Sequence, residues 1–121
     1  MRNIVHRLLI ASVLSLLGVS AWAHAFLSQA APPVGGTISA APREVRLTFS
    51  EGIEPAFSRI ELATTDGQPI GTGPAIVDPR DNTQLVLALP PLAPGRYRVK
   101  WRVVSVDTHP TEGDYTFEIV Q

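Results

Sequence analysis

A strict two-residue alternation of apolar and polar side chains constrains the fold more than any other feature. In "RYRVKWRVV", residues 96–104, the apolar Tyr97, Val99, Trp101 and Val103 alternate with basic residues. This period predicts a β-strand with one buried face, because successive side chains of a strand point to opposite faces. We therefore expect Trp101 in the core. The same period recurs in "EVRLTF", "SRIELAT", "TQLVLAL" and "DYTFEIV", at residues 44–49, 58–64, 83–89 and 114–120.

The segments between these strands favour turns over helices. "APPVGG", "DGQP", "GTGP", "DPRDN" and "LAPG" are rich in Pro, Gly, Asp and Asn, and no segment shows a sustained helical period. A weaker first strand is expected near residues 25–29. Six or seven short strands in a chain of this length predict an all-β fold, a β-sandwich of immunoglobulin-like size.

The first 23 residues have the parts of a secretory signal peptide. Basic residues near the start precede "LLIASVLSLLGV", residues 8–19, which is apolar but too short for a spanning helix of about 20 residues. Small residues in "AWA" then predict cleavage after Ala23, which leaves residues 24–121 as one domain. A cut after Ala25 also satisfies the A-x-A pattern, but it fits the spacing from the apolar segment less well.

Composition excludes several classes of function. The predicted leader contains two arginines and none of the 11 acidic residues, so its removal changes the net charge from −1 to −3. A mildly acidic domain argues against nucleic acid or an anionic membrane as partner, and we expect no membrane insertion after cleavage. The absence of cysteine excludes disulfides, thiolate metal sites and a thiol nucleophile.

Two histidines remain after the leader, His24 and His109. Asp107 and His109 flank one residue in "SVDTHPTEG", and an extended residue between them would project both side chains to the same side. Pro110 biases His109 toward such an extended geometry. A D-x-H pattern alone is more often a turn-capping aspartate beside a surface histidine. No G-x-S-x-G setting accompanies it, which argues against a serine–histidine–aspartate site.

His24 changes this balance, because cleavage after Ala23 would make it the first residue. The α-amine and imidazole Nδ1 of an N-terminal histidine can chelate one metal ion. With a nitrogen from His109 and an oxygen from Asp107, the donor set suits Cu(II). The plainer interpretation is a histidine tolerated at the cleavage junction. Glu51, in "FSEGIEP", is either an outer carboxylate of this site or a solvated acid at a strand end.

Three segments resemble the CopC family of periplasmic copper-binding proteins: "HAFLSQAAPPVGG", "VRLTFSEGIEP" and "LAPGRYRVKWRVVSVDTHPTEGDYTFEI". The resemblance implies an immunoglobulin-like or cupredoxin-like Greek-key sandwich or barrel of about seven strands. It also implies a Cu(II) site formed by His24, Asp107 and His109, with Glu51 at or near the metal. Some members carry a methionine-rich segment that binds Cu(I). The corresponding region here has no methionine, so the chain resembles the form with the Cu(II) site only.

The resemblance implies a copper carrier or buffer in the periplasm, not an enzyme, that serves copper homeostasis or resistance, with a CopD-type inner-membrane transporter as a partner. We expect a monomer. One alternative is a histidine-brace copper enzyme similar to lytic polysaccharide monooxygenases. Those enzymes are usually larger and present a broad, often aromatic surface. Most of the seven aromatic residues in 24–121 instead occupy inward strand positions. A second alternative is a metal-free sandwich that contacts other proteins.

Overall fold

The structure is a computed structural model that describes residues 25–121. His24 and the predicted leader, 1–23, lie outside the described residues. Within 25–121 no helix is long and apolar enough to cross a membrane. The described chain forms eight strands, β1 (Leu27–Ala31), β2 (Thr37–Ile38), β3 (Glu44–Phe49), β4 (Arg59–Thr64), β5 (Ile76–Asp78), β6 (Asp81–Ala88), β7 (Gly95–Val104) and β8 (Pro110–Ile119), and one 3-10 helix, Pro55–Phe57.

The strands form two four-stranded sheets, in the orders β1-β3-β6-β5 and β2-β8-β7-β4. All neighbouring strands pair antiparallel except β2 and β8, which run parallel. The predicted all-β sandwich is therefore confirmed. It has eight strands against about seven expected, and the two that correspond to no predicted segment are β2 and β5, with two and three residues. Strands of that length are too short to show an alternating pattern.

The core lies between the two sheets and is built from the alternating apolar residues. Trp101 is half-buried, packs against this core and meets Phe49 edge to face, with ring centroids 5.1 Å apart. The two tyrosines use their hydroxyls, since Tyr97 donates to the carbonyl of Ala93 and Tyr115 to that of Pro32. The buried residues of β3, β6, β7 and β8 include Val45, Leu47, Phe49, Leu85, Leu87, Tyr97, Val99, Val103, Tyr115, Phe117 and Ile119.

The hairpin of β7 and β8 positions the candidate site. The two strands pair without interruption from Gly95 opposite Ile119 to Val104 opposite Pro110. β8 begins at Pro110, four residues before the predicted segment 114–120, because its first residues bond to β7 although they lack an apolar alternation. Residues 105–109 therefore form the tip of this hairpin, at one end of the sandwich.

Candidate metal centre

Asp107 and His109 lie in the tight turn between β7 and β8. The amide of Ser105 donates to the carbonyl of His109 at 3.1 Å, and the amide of Thr108 donates to the carbonyl of Ser105 at 2.8 Å. Thr108 has a φ of 73°, the left-handed conformation typical of the last residue of a three-residue hairpin loop. The expectation of an extended residue between Asp107 and His109 is therefore wrong. A turn, and not strand alternation, brings the two side chains together.

The turn holds the carboxylate of Asp107 beside the imidazole of His109. Their Oδ1 and Nδ1 atoms are 3.2 Å apart, and both side chains are partly exposed. A metal ion holds its nitrogen and oxygen ligands at about 2.0–2.2 Å. Two such ligand atoms that subtend a right angle at the ion are therefore about 3 Å apart. The separation of Oδ1 and Nδ1 is close to this value, so the pair can share a metal ion. Among residues 25–121, no group of three or more His, Cys, Asp or Glu side chains could hold a metal ion.

A buried serine that the sequence analysis did not single out supports this pair. Ser105 is fully buried, and its hydroxyl donates to Oδ1 of Asp107 and accepts from the amide of His109 at 3.3 Å. The pKa of Asp107 is lowered from its usual value, chiefly by the hydrogen bond from Ser105 and further by contacts with His109. One sequence signal could have indicated this residue. Position 105 continues the inward alternation of β7, and a polar residue there needs a hydrogen-bond partner.

A second segment lies against the turn and carries Glu51. The carbonyl of Gly52 accepts from the amide of Val106 at 3.0 Å. On the other side of Glu51, the amide of Ser50 donates to the carbonyl of Phe26 at 2.8 Å. The Oε2 atom of Glu51 is buried and has no hydrogen-bond partner among the described residues. Such an oxygen is costly to bury unless a donor or a cation completes it.

The described chain begins beside these residues. Ala25 is fully buried, and its carbonyl accepts from the hydroxyl of Thr111 at 3.0 Å, two residues after His109. Phe26 is tied to the segment of Glu51 through Ser50, as both its amide and its carbonyl bond there at 2.8 Å. The structure thus brings together the segments of Asp107, His109 and Glu51 at the start of the described chain. His24 lies outside the described residues, one peptide bond before Ala25.

Comparison with known proteins identifies the family. The family model of the CopC domain matches residues 27–120. The chain belongs to the CopC family. It is 42% identical to Protein YobA of Escherichia coli (strain K12) over 106 residues, which cover 87% of this chain and 86% of that protein.

Two solved structures extend the comparison. The crystal structure of CopC from Methylosinus trichosporium OB3b matches with a TM-score of 0.75 and 38% identity, over 79% of this chain and 93% of that one. PcoC from Escherichia coli, described as a methionine-rich copper resistance protein, matches with a TM-score of 0.71 and 33% identity, over 81% of this chain and 100% of that one. These matches confirm the predicted family and fold and connect the chain with copper resistance at the level of the family.

Proposed function

We propose that this protein is a periplasmic copper carrier or buffer that binds Cu(II) through His24, Asp107 and His109. The main support is a convergence at one end of the sandwich. The turn with Asp107 and His109 meets the start of the described chain, where Ala25 bonds to Thr111 at 3.0 Å. Consecutive Cα atoms are about 3.8 Å apart, so we propose that His24, one peptide bond before Ala25, reaches this end of the sandwich.

Cleavage would create the first half of the site. In the precursor the nitrogen of His24 is a planar peptide amide and a poor ligand. Cleavage after Ala23 would convert it into an α-amine, whose reference pKa of about 7.7–8.0 allows a metal ion to displace its proton near neutral pH. The amine, two imidazoles and the Asp107 carboxylate form the nitrogen- and oxygen-rich set that suits Cu(II). In this proposal, residues 1–23 are the signal peptide and 24–121 the copper-binding domain.

Glu51 supplies an outer carboxylate in this proposal. Its buried Oε2 has no hydrogen-bond partner among residues 25–121 and needs a positive charge or a donor, which the N-terminal amine of His24 or a bound copper ion would supply. An outer carboxylate of this kind orients a ligand group and increases its basicity. Glu51 is therefore proposed to lie at or directly beside the metal.

A carrier fits the surface around the site better than an oxidative enzyme does. Asp107 and His109 are partly exposed, so a partner can reach the cargo. Of the aromatic residues in 25–121, Phe26 and Phe57 are the large exposed ones, which leaves little for a flat sugar-binding surface. We propose a monomer that delivers copper to a CopD-type inner-membrane transporter, a partner suggested by the family resemblance.

A matched pair of proteins tests the role of the terminus. One begins at His24, and the other carries a single extra glycine before His24, with each N-terminus verified by mass. Both keep Asp107, His109 and the entire core, so their thermal stabilities should agree. Cu(II) titration against a competing chelator should show binding at least about tenfold weaker in the extended protein, which corresponds to about 1.4 kcal/mol.

His109→Ala should bind Cu(II) more weakly in the same titration. Its electron paramagnetic resonance spectrum should show the loss of one nitrogen donor. Asp107→Ala should weaken binding less, because the nitrogen donors remain. Equal affinities and identical spectra for the two matched proteins would contradict the proposed site. Oxidation of a polysaccharide by the copper-loaded protein with a reductant would favour the enzyme alternative instead.

A further inference from the structure

We propose that Ser105 is a positioning residue of this metal site, which fixes Asp107 and His109 relative to each other before the metal ion arrives. This inference rests on the proposed function. Ser105 does not touch the metal in this role. It acts through the two side chains that flank Thr108.

The hydroxyl of Ser105 connects both proposed ligands. It donates to Oδ1 of Asp107, and the amide of His109 donates to it at 3.3 Å. The backbone of Ser105 closes the same turn, because its amide bonds to the carbonyl of His109 and its carbonyl to the amide of Thr108. Ser105 thus contacts every residue of the D-T-H segment.

Burial makes these contacts persistent. Ser105 is fully buried, so water does not compete on its side of the Asp107 carboxylate, and hydrogen bonds are stronger where the local dielectric is low. Ser105 is also anchored from outside the turn, since it forms an isolated β-bridge with Ile53. The turn is therefore fastened to the segment after Glu51 as well as to β8.

The backbone of the turn needs such an anchor. Thr108 is β-branched and has a φ of 73°, a conformation that is rare for such residues and persists only where the surroundings determine it. With the anchor in place, Asp107 and His109 are ordered before binding, so binding does not bear that entropic cost. Without the hydroxyl, the carboxylate can rotate away from the imidazole.

Ser58 provides a matched control. It is also a buried serine, and its hydroxyl donates to the carbonyl of Glu54 at 2.7 Å and accepts from the amide of Val104 at 3.2 Å. Neither of these hydrogen bonds involves Asp107 or His109. Ser58→Ala and Ser105→Ala therefore both remove a buried, hydrogen-bonded hydroxyl, and both should lower the thermal stability.

The two variants should differ in copper binding. In proteins that begin at His24, Ser105→Ala should weaken Cu(II) binding about 10–100-fold, the usual range for partners of metal ligands, and should change the hyperfine splitting in the resonance spectrum. Ser58→Ala should keep the parental affinity and spectrum. Ser105→Thr, which retains a hydroxyl, should recover the parental spectrum.

The affinities are measured well below each unfolding transition, with the near-ultraviolet circular dichroism checked for native packing. A Ser105→Ala protein with parental affinity and spectrum would overturn the role of Ser105 and leave the copper site intact. An equal loss in Ser58→Ala would also overturn it, because the effect would then follow from stability alone. Failure of the parent itself to bind Cu(II) would overturn the proposed function and this inference together. If Ser105→Ala does not fold, the test uses Ser105→Thr instead. A folded Ser105→Thr protein whose spectrum differs from that of the parent would contradict the role of the hydroxyl.

Discussion

Replacement of Gly113 by alanine tests how tightly Trp101 is held at the edge of the core. The two residues are opposite each other on β8 and β7, and the indole occupies the space that a side chain at position 113 would take. A Cβ atom at Gly113 would lie 2.6 Å from Cζ2 and 3.0 Å from Cε2 of Trp101, against about 3.5 Å for a normal carbon contact. One partner must move by nearly 1 Å, while Phe49 blocks the indole on another side.

The expected cost follows from these distances. Overpacking of this kind destabilises a protein by about 1–3 kcal/mol. Removal of a glycine also reduces the entropy of the unfolded chain, which offsets about 0.4–1 kcal/mol. We expect a net loss of about 1–2 kcal/mol for Gly113→Ala. In a domain of this size, each kcal/mol lowers Tm by about 4–8 °C, so Tm should fall by roughly 5–15 °C.

Gly71→Ala is the matched control, because nothing lies within 4 Å of a Cβ atom at Gly71. Thermal unfolding is followed by circular dichroism and by the fluorescence of Trp101. Gly71→Ala should keep or slightly raise the parental Tm, because it gains the same entropic term without a steric cost. Adding Trp101→Phe to Gly113→Ala should recover part of the loss, since the smaller ring leaves room for the methyl group. A Gly113→Ala protein as stable as Gly71→Ala would refute the steric argument.

Three further predictions concern chemistry. Reduction with ascorbate should loosen the metal, because residues 24–121 contain no Cys or Met to hold Cu(I); tighter retention on reduction would exclude the proposed ligands. Glu51→Gln removes a charge at constant size and should weaken Cu(II) binding without loss of Tm, whereas the exposed Glu61→Gln should change neither. The pKa of Asp78 is lowered by hydrogen bonds from the Arg80 amide and the Arg46 side chain. Its stabilising contribution is therefore present above about pH 4 and is lost as the pH falls through the lowered pKa. Asp78→Asn should flatten the fall of Tm in acid, and an unchanged slope would show that Asp78 does not contribute to acid sensitivity.

The sequence predicts those strands that have one face in the core and the other in water, because their side chains then alternate between apolar and polar. β3 begins and ends where the alternation does, and β4, β6 and β7 agree within two residues at each end. β2 and β5 escape prediction because backbone pairing to a neighbour, and not a buried face of their own, defines them. The first strand lies two residues later than expected, since Ala25 and Phe26 are held by contacts to Thr111 and Ser50 instead.

The candidate site was also only partly predictable from the sequence. The spacing of Asp107 and His109 predicts that they meet, but the left-handed Thr108 that brings them together cannot be anticipated from a residue that rarely adopts it. The approach of Glu51 to this turn depends on the bond between Gly52 and Val106, which are more than fifty positions apart in the sequence. Pattern analysis within one segment contains no information on such pairings.

The described side of the site is assembled from segments near residues 25, 51 and 107, which only the folded chain brings together. A ligand that binds only the native state raises the free energy of unfolding, by about 2.7 kcal/mol at a hundred times its Kd. The chelate at His24 alone would survive unfolding and reduce this gain. The loaded protein would still resist proteases longer than the empty one. Its abundance outside the cytoplasm would then rise and fall with the copper supply through differential turnover, without a change in gene expression.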